Sequence, residues 1–446
     1  MPIEESLAYQ EALDYLYRFV DYSLVRNFRH TPEKFDLTRM EAILALMNNP
    51  HHQYPVVHVA GTKGKGSTAA LIASALCAAG YRVGLYTSPH LQEFTERLQV
   101  NGQPISKAEL VTLVADLKPL IEQVEQITWF EITTALGFEF FRRQQVDVAV
   151  VEVGLGGRLD ATNVVEPLVS VITSLSMDHM NILGDTLAKI AFEKAGIIKP
   201  GRPAVLAPQK DEALLVVEQL AAERGSRLVV LGRDYHYAPL EHGLDGQTFR
   251  VGPAGGPQID LKIPLLGLHQ VENGATAYLA LQMIREQGLV VSDEAIRQGF
   301  AQVVWPGRFE LLRREPPLIV DSAHNRDSAH RLRQALDDYL PGRDVVLIFG
   351  ASEDKDVNGM FEEIMPRVRE VVATQSVHPR AASAESLVTL AGQYGRPAQA
   401  VVPLEAALEV ALQQAGQNAV VLATGSLFIA AAVRAVWRAR QSLPAD

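Results

Sequence analysis

Residues 56–79 read VVHVAGTKGKGSTAALIASALCAA, a short apolar run, then a glycine-lysine loop, then a strongly helical stretch. A chain builds a pocket for nucleotide phosphates in this way. Gly61, Gly64 and Gly66 lack side chains, so the backbone can curl around an anion and aim its N–H groups inward. The helix expected from about Ser67 adds its positive N-terminal end. Lys65 supplies a mobile charge for the β- and γ-phosphates, and Thr62, Lys63, Ser67 and Thr68 complete the loop. The match to the GxxxxGK[ST] template is imperfect, because Val59 stands where the first glycine belongs and Gly66 separates Lys65 from the hydroxyls of Ser67 and Thr68. The loop is therefore a variant, and an ordinary glycine-rich turn between a strand and a helix is its plain alternative.

A chain of 446 residues is too long for one ordinary core and implies two or three domains. Hydrophobic residues make up 48% and charged residues 21%, the balance of a globular enzyme, and no apolar run reaches the ~20 residues that span a bilayer. No membrane partner is expected. The first twenty residues, MPIEESLAYQEALDYLYRFV, carry acidic groups where a secretory signal has lysine or arginine, so cytoplasmic residence is the expectation. The single cysteine, Cys77, falls in the helix after the loop, where a small buried hydrophobe is the natural reading, and it has no partner for an intrachain disulfide. A net charge of −11 argues against a nucleic-acid partner, which favours a basic surface.

Apolar runs alternate with helical stretches: VVHVA, RVGLYTS, VDVAVVEVG and PLVSVITS read as buried parallel strands of an α/β sheet of the P-loop ATPase type. Between about 225 and 265 the chain turns to short runs broken by glycine and proline, which predicts a small β-ribbon, and helix resumes from Val271. A second alternation begins at Leu318 with LIVDSAH and continues through DVVLIFGAS, EVVATQSV, a short AVVPL and AVVLATGSL, predicting a smaller doubly wound, Rossmann-like domain. The turn-forming Trp305-Pro306-Gly307-Arg308 stretch is the linker candidate, near 303–310, so the domains are expected at 1–304 and 305–446. There is no internal repeat and no low-complexity tract.

Several groups sit just past the carboxyl ends of expected strands, the edge at which such sheets bind ligands. Glu152 ends VDVAVVEVG and precedes Gly154-Leu155-Gly156-Gly157, Asp178 and His179 follow PLVSVITS, and Ser88 follows RVGLYT. Together they can hold Mg²⁺ against nucleotide phosphates, since that ion takes oxygen ligands and retains waters. Each also has a structural reading: Glu152 as a salt-bridge or capping residue, His179 as a hydrogen-bonded loop histidine, Lys194 as an exposed helix lysine paired with a nearby carboxylate. Trp129 and Phe130 in TWFE offer aromatic surface to a flat ring, or simply start a helix in the core. Asp160 in LDATN can accept hydrogen bonds from an amino group.

The chain resembles the folylpolyglutamate synthase/dihydrofolate synthase family, a branch of the Mur ligase superfamily, over nearly its whole length. The resembling motifs are HVAGTKGKGST at 58–68, GLYTSPHL at 84–91, TWFE at 128–131, VEVGLGGRLDATN at 151–163, DHMNILGDT at 178–186 and FEKAGIIK at 192–199. They continue with GLHQVEN at 267–273, WPGR at 305–308, DSAHN at 321–325, EDKD at 353–356, HPRA at 378–381 and TGSL at 424–427. The resemblance implies an ATP-dependent ligase that joins a carboxylate to the amine of L-glutamate through an acyl phosphate. It assigns Lys65 and the loop glycines to triphosphate, and Ser88, Glu152 and His179 to magnesium, with two Mg²⁺ ions expected. It matches Lys194 to a lysine that takes up CO₂ as a carbamate able to bind or position the second ion. It makes Asn273 an adenine-side contact and brings Arg308, Asp321 and His324 from the linker and second domain over ATP. His324 or a nearby carboxylate is also a candidate to take the amine proton. Asp160 and the Trp129-Phe130 pair fall in the region that accepts dihydropteroate in bifunctional enzymes, so dual activity on dihydropteroate and reduced folates is expected, from a monomer.

Three positions depart from the family pattern: Trp129 where phenylalanine is common, Gly274 where alanine is usual, and Ser322 within DxAHN. None removes a charged or ligating group, so they bear on substrate preference more than on catalysis. Two other classes remain open on the residues alone. A Mur-type cell-wall ligase would carry an additional N-terminal nucleotide-sugar domain, for which the sixty residues before the loop are too few. A nucleotide-dependent binding module would bind ATP without releasing ADP in response to glutamate.

Overall fold

The computed structural model describes residues 3–20, 36–376 and 380–441. His378 and Pro379 of the HPRA motif, and Met1 and Pro2, lie outside the described residues. Two compact units emerge: Met1–Ala238 with Phe249–Lys262 and Glu272–Val303, and Pro239–Thr248 with Ile263–Val271 and Val304–Asp446. The chain thus passes between units at several points, of which Val303/Val304 is the last.

The first unit is built on eight strands: β1 Val56–Ala60, β2 Val83–Tyr86, β3 Leu98–Val100, β4 Gln103–Pro104, β5 Val148–Glu152, β6 Val169–Ile172, β7 Ala204–Leu206 and β8 Leu228–Val230. Their order is β4-β3-β2-β5-β1-β6-β7-β8, with β1 paired in parallel to β5 on one side and β6 on the other. Strands β1 and β5 are buried along their whole length, as continuous Val-rich runs covered on both faces must be. One core packs Phe138, Phe141, Trp129 and Ile132 against one face, and the other packs Ile172, Leu206, Leu187 and Val217 together.

Two features of this sheet differ from the sequence-based expectation. Strands β3 and β4 form an antiparallel edge, turned by Asn101 and Gly102, both at positive φ, the pair of dihedrals a tight hairpin needs. Leu228–Val230, expected in the ribbon, is instead the last parallel strand of the main sheet. The ribbon itself holds three strands, β9 Tyr235–Gly243, β10 Gly246–Pro253 and β11 Ile259–Ile263, in the order β11-β10-β9. The helix expected from Val271 begins earlier, spanning Leu268–Glu286.

The second unit carries β12 Glu310–Arg313, β13 Leu318–Val320, β14 Val345–Phe349, β15 Val368–Ala373, β16 Ala398–Ala400 and β17 Val420–Thr424 in the order β12-β13-β17-β14-β15-β16. Alternate side chains of β14 feed two cores, Val345, Leu347 and Phe349 on one face, Val346 and Ile348 on the other. That is the two-sided burial of a doubly wound sheet. Strand β12 is antiparallel to β13, so the sheet is mixed, and β16 meets the expected AVVPL run only at Ala400. Among the described residues no helix is long and apolar enough to cross a membrane.

Candidate active site

The loop leaves β1 at Ala60 and enters the helix Lys65–Ala78, two residues earlier than expected. Gly64 caps that helix at φ +84, and a Cβ there would lie 2.1 Å from Asn273 Oδ1, so only glycine lets the turn close under Asn273. Asn273, expected on the adenine side, thus lies against the loop itself. Gly61 is equally constrained, since a Cβ would fall 1.8 Å from Thr173 Oγ1. Thr173 at the end of β6 donates its hydroxyl to the Lys63 carbonyl at 2.7 Å, and the Ser174 carbonyl accepts from the backbone N–H groups of Thr62 and Lys63. The loop is therefore tied to the segment that follows β6, to which the Thr62 hydroxyl also bonds through the backbone of Ser176. Thr68 Oγ1 is buried beneath it with no partner among the described residues.

Charged groups gather around this loop. Glu152, at the end of β5 and 5% exposed, has an oxygen 3.9 Å from Lys65 Nζ and accepts the Ser88 backbone N–H at 3.1 Å. Lys63 Nζ donates to Asp178 Oδ2 at 3.1 Å. His179 sits at φ +48 with its side chain half exposed and its Nε2 3.8 Å from Asp178 Oδ1. The Lys63–Asp178 pair was not legible in sequence, because the two residues are more than a hundred positions apart.

Lys194 corrects the expectation of an exposed helix lysine. It is 5% exposed, in the last turn of the helix Leu187–Ala195, and its Nζ donates to the Gly61 carbonyl at 2.9 Å. Burial first, and the Lys65 charge second, pull its pKa from the ordinary 10.5 down to about 7, against the opposing pull of Asp178 and Asp160. A neutral amine is thus accessible beside the phosphate loop near physiological pH.

The aromatic pair separates. Trp129 is 5% exposed and belongs to the core, stacked on Tyr17 with ring centroids 6.1 Å apart, edge-on to Phe94, and covered by the Arg97 guanidinium. Its structural reading is the one the packing supports. Phe130 is only partly buried and lies over the loop after β5, where a Cβ on Gly154 would come 2.3 Å from its ring. Asp160, expected as an open acceptor, is buried and engaged within the chain: Oδ2 accepts the Leu155 N–H at 2.8 Å and Oδ1 accepts the Thr162 N–H at 3.0 Å. Burial raises its pKa, against these hydrogen bonds.

In the second unit, Asp321 follows β13 and accepts backbone N–H groups from Phe309 and Ala323, both at 2.8 Å, so it shapes the turn on either side of it. Its burial raises the carboxyl pKa while Arg308 lowers it. Arg308 donates to the Ser322 hydroxyl, which gives the serine at this position a role an alanine would lack. His324 Nδ1 lies 3.0 Å from the Ser322 carbonyl, just before the helix Arg326–Tyr339 capped by Asn325. The remaining departure, Gly274, also has a local cause: a Cβ would meet the ring of Phe249 on β10 at 2.8 Å.

Among the described residues no three His, Cys, Asp or Glu side chains cluster as a ready-made cation cage. A magnesium ion that keeps waters and takes phosphate oxygens still fits, because it needs only one or two protein oxygens, and a buried carboxylate at 152 beside a phosphate loop supplies them. The arrangement is suited to holding a triphosphate and stabilising charge on its terminal group.

Two family models match the chain, the Mur ligase middle domain over residues 59–281 and the Mur ligase glutamate ligase domain over residues 307–427. The chain is 37% identical over 428 residues to the dihydrofolate synthase/folylpolyglutamate synthase of Bacillus subtilis (strain 168), covering 93% of this chain and 99% of that one. It is similar to the Mycobacterium tuberculosis folylpolyglutamate synthase complexed with ADP and AMPPCP, at a TM-score of 0.87 and 32% identity over 97% of this chain and 99% of that chain. The Escherichia coli FolC structure in complex with DHPP and ADP matches at a TM-score of 0.84 and 32% identity, over 97% of this chain and 98% of the other.

Proposed function

The chain belongs to the Mur ligase family, in its folylpolyglutamate synthase/dihydrofolate synthase branch, and we propose that Lys65, Glu152 and Lys194 form its phosphoryl-transfer centre. The protein is an ATP-dependent acid-amino-acid ligase. It adds L-glutamate to dihydropteroate, to the glutamate tail of reduced folates, or to both, giving ADP and phosphate. Dual activity is the reading we favour, since the Bacillus subtilis relative carries both activities in its name.

A carboxylate is a poor electrophile until one of its oxygens is phosphorylated. The acceptor carboxylate attacks the γ-phosphorus of ATP, ADP leaves, and an acyl phosphate forms. The glutamate amine, once deprotonated, adds to the acyl carbon, and the tetrahedral intermediate expels phosphate. Lys65, carried at the head of a helix, is placed to neutralise charge on the transferring oxygens, and the loop N–H groups with Thr62, Ser67 and Thr68 position the phosphates. Bound magnesium would neutralise phosphate charge, with Ser88, Glu152, His179 and a carbamylated Lys194 as its holders. Carbamylation needs a neutral amine, which adds CO₂ and releases a proton; the low pKa of Lys194 supplies that form. The carbamate nitrogen keeps one N–H, so the bond to the Gly61 carbonyl is compatible with the modification.

Arg308, Asp321 and His324 are proposed as further nucleotide and glutamate-side residues, and Asp160 with Phe130 as the pterin side. A monomeric cytoplasmic enzyme that works without membrane or nucleic acid is proposed in keeping with a net charge of −11, and size-exclusion chromatography tests its oligomeric state.

The observation that carries this reading is the buried Glu152 beside Lys65 at the head of the phosphate loop. Incubation with ATP, Mg²⁺, L-glutamate and either dihydropteroate or a reduced folate, followed by product mass, tests it. A glutamyl-sized increase is expected; folded protein that yields none with any folate acceptor overturns it.

A further inference from the structure

His58 lies in the middle of β1, fully buried in a strand of otherwise apolar residues, where valine would be the inexpensive choice. Its Nε2 is 2.8 Å from Thr162 Oγ1. The Thr162 hydroxyl has one proton, and it goes to Asp160 Oδ1. Thr162 must then accept from the imidazole, so the proton sits on Nε2, and Nδ1 is left without a donor among the described residues. Burial, and after it the charge of Lys199, hold the ring neutral.

The chain of bonds continues outward. Asp160 Oδ2 fixes the Leu155 N–H in the glycine-rich loop after β5. That loop packs closely on the Lys194 helix: a Cβ on Gly157 would meet the Glu193 and Lys194 carbonyls at 2.8 and 2.9 Å, and the Arg158 N–H donates to the Glu193 carbonyl at 2.7 Å. Phe130 covers the same loop at Gly154. A rigid donor inside the sheet therefore sets the one carboxylate on the pterin side and the loop that joins it to the Lys194 helix.

We propose that His58 is a positioning residue for the pterin acceptor, acting through Thr162 on Asp160 and the Gly154–Gly157 loop. The proposal rests on the reading above that Asp160 belongs to the acceptor side. Neither His58 nor Thr162 touches the acceptor; each fixes the group that does. A buried imidazole serves better than a flexible amide or a hydroxyl, because its ring presents the N–H at one distance with little torsional freedom.

The test compares Thr162→Val, which keeps volume and removes the hydroxyl, with His58→Leu, His58→Gln and Asp160→Asn, using the full chain. Steady-state constants are measured for dihydropteroate, a reduced folate and ATP, with circular dichroism to show that each variant folds. A misplacement of about 1 Å caused by a change away from the reacting atoms can cost about 10²-fold. Thr162→Val and His58→Leu are expected to raise the KM for dihydropteroate by roughly tenfold or more, with the KM for ATP unchanged. His58→Gln, which can still donate near the Nε2 position, is expected to recover part of the loss. The His58→Leu/Thr162→Val double variant should behave like either single one. Equal losses for all three substrates, or no change in any, overturn the proposal. If Asp160→Asn alters dihydropteroate use while Thr162→Val and His58→Leu do not, only the positioning role fails; if Asp160→Asn also leaves it unchanged, the acceptor-side reading fails with it.

Discussion

Lys194 shows how one side chain can join burial to chemistry. Lysine is rarely buried without a charged partner, yet here its Nζ donates to a backbone carbonyl, burial and the Lys65 charge outweigh the pull of Asp178 and Asp160, and its pKa drops to about 7. Lys194→Ala should lose most turnover, with partial recovery on adding formate or acetate as stand-ins for the carbamate; an unchanged rate refutes the modification. Lys65→Ala should slow turnover by about 10²–10³-fold, as loss of a charge stabiliser commonly does, and equal turnover would remove it from the mechanism. His58 gives a pH signature. Its folded pKa is about 3 against an ordinary 6.5, so between those values the unfolded chain binds more protons and stability rises with pH, being complete above 6.5 and lost as pH falls toward 3. Urea denaturation across that window should show a shallower acid decline for His58→Gln than for the parent; parallel slopes contradict the assignment. Lys65, Glu152 and His179 were legible as candidates because Glu152 ends an apolar strand and the other two follow one. The burial of Lys194 and the inward engagement of Asp160 were not, because both depend on partners tens of residues or more away in the chain or hidden in backbone hydrogen bonds.

At the level of elements, continuous Val-rich runs predicted the parallel strands well, since a strand covered on both faces has no alternative pattern. Short polar edges carried less signal. Strands β3 and β4 total five residues, and only Asn101-Gly102 announces their hairpin. The phosphate loop illustrates the reverse, a motif recognised by glycines whose conformational reasons lie elsewhere. Gly64→Ala should add roughly 1–2 kcal/mol of left-handed backbone strain and a clash with Asn273. A raised KM for ATP is the expected result, and wild-type ATP kinetics would contradict the account of the loop. Gly274 and Phe249 form a second matched pair between helix and ribbon. Gly274→Ala should destabilise the first unit by about 1–3 kcal/mol through overpacking, and Phe249→Leu should restore much of it, as read by thermal denaturation. Additive losses in the double variant would argue against that contact.

For the molecule as a whole, each unit has its own sheet and its own cores on both faces, which is the organisation a 446-residue chain requires. The first places the phosphate loop and Glu152 at the carboxyl ends of β1 and β5, the edge at which doubly wound sheets bind ligands, with Lys194 reaching the loop from the helix Leu187–Ala195. The second shapes Arg308, Asp321 and His324 around the end of β13. Sequence alone divided the chain once, whereas the structure also places Pro239–Thr248 and Ile263–Val271 in the second unit, a non-contiguous allocation that no local composition signals. The central claim is that an acceptor carboxylate passes through an acyl phosphate before glutamate is joined to it. Turnover of dihydropteroate labelled with ¹⁸O in its carboxylate, with mass analysis of the released phosphate, tests that claim most directly. One labelled oxygen should appear in each phosphate released; glutamylated product accompanied by unlabelled phosphate would contradict it.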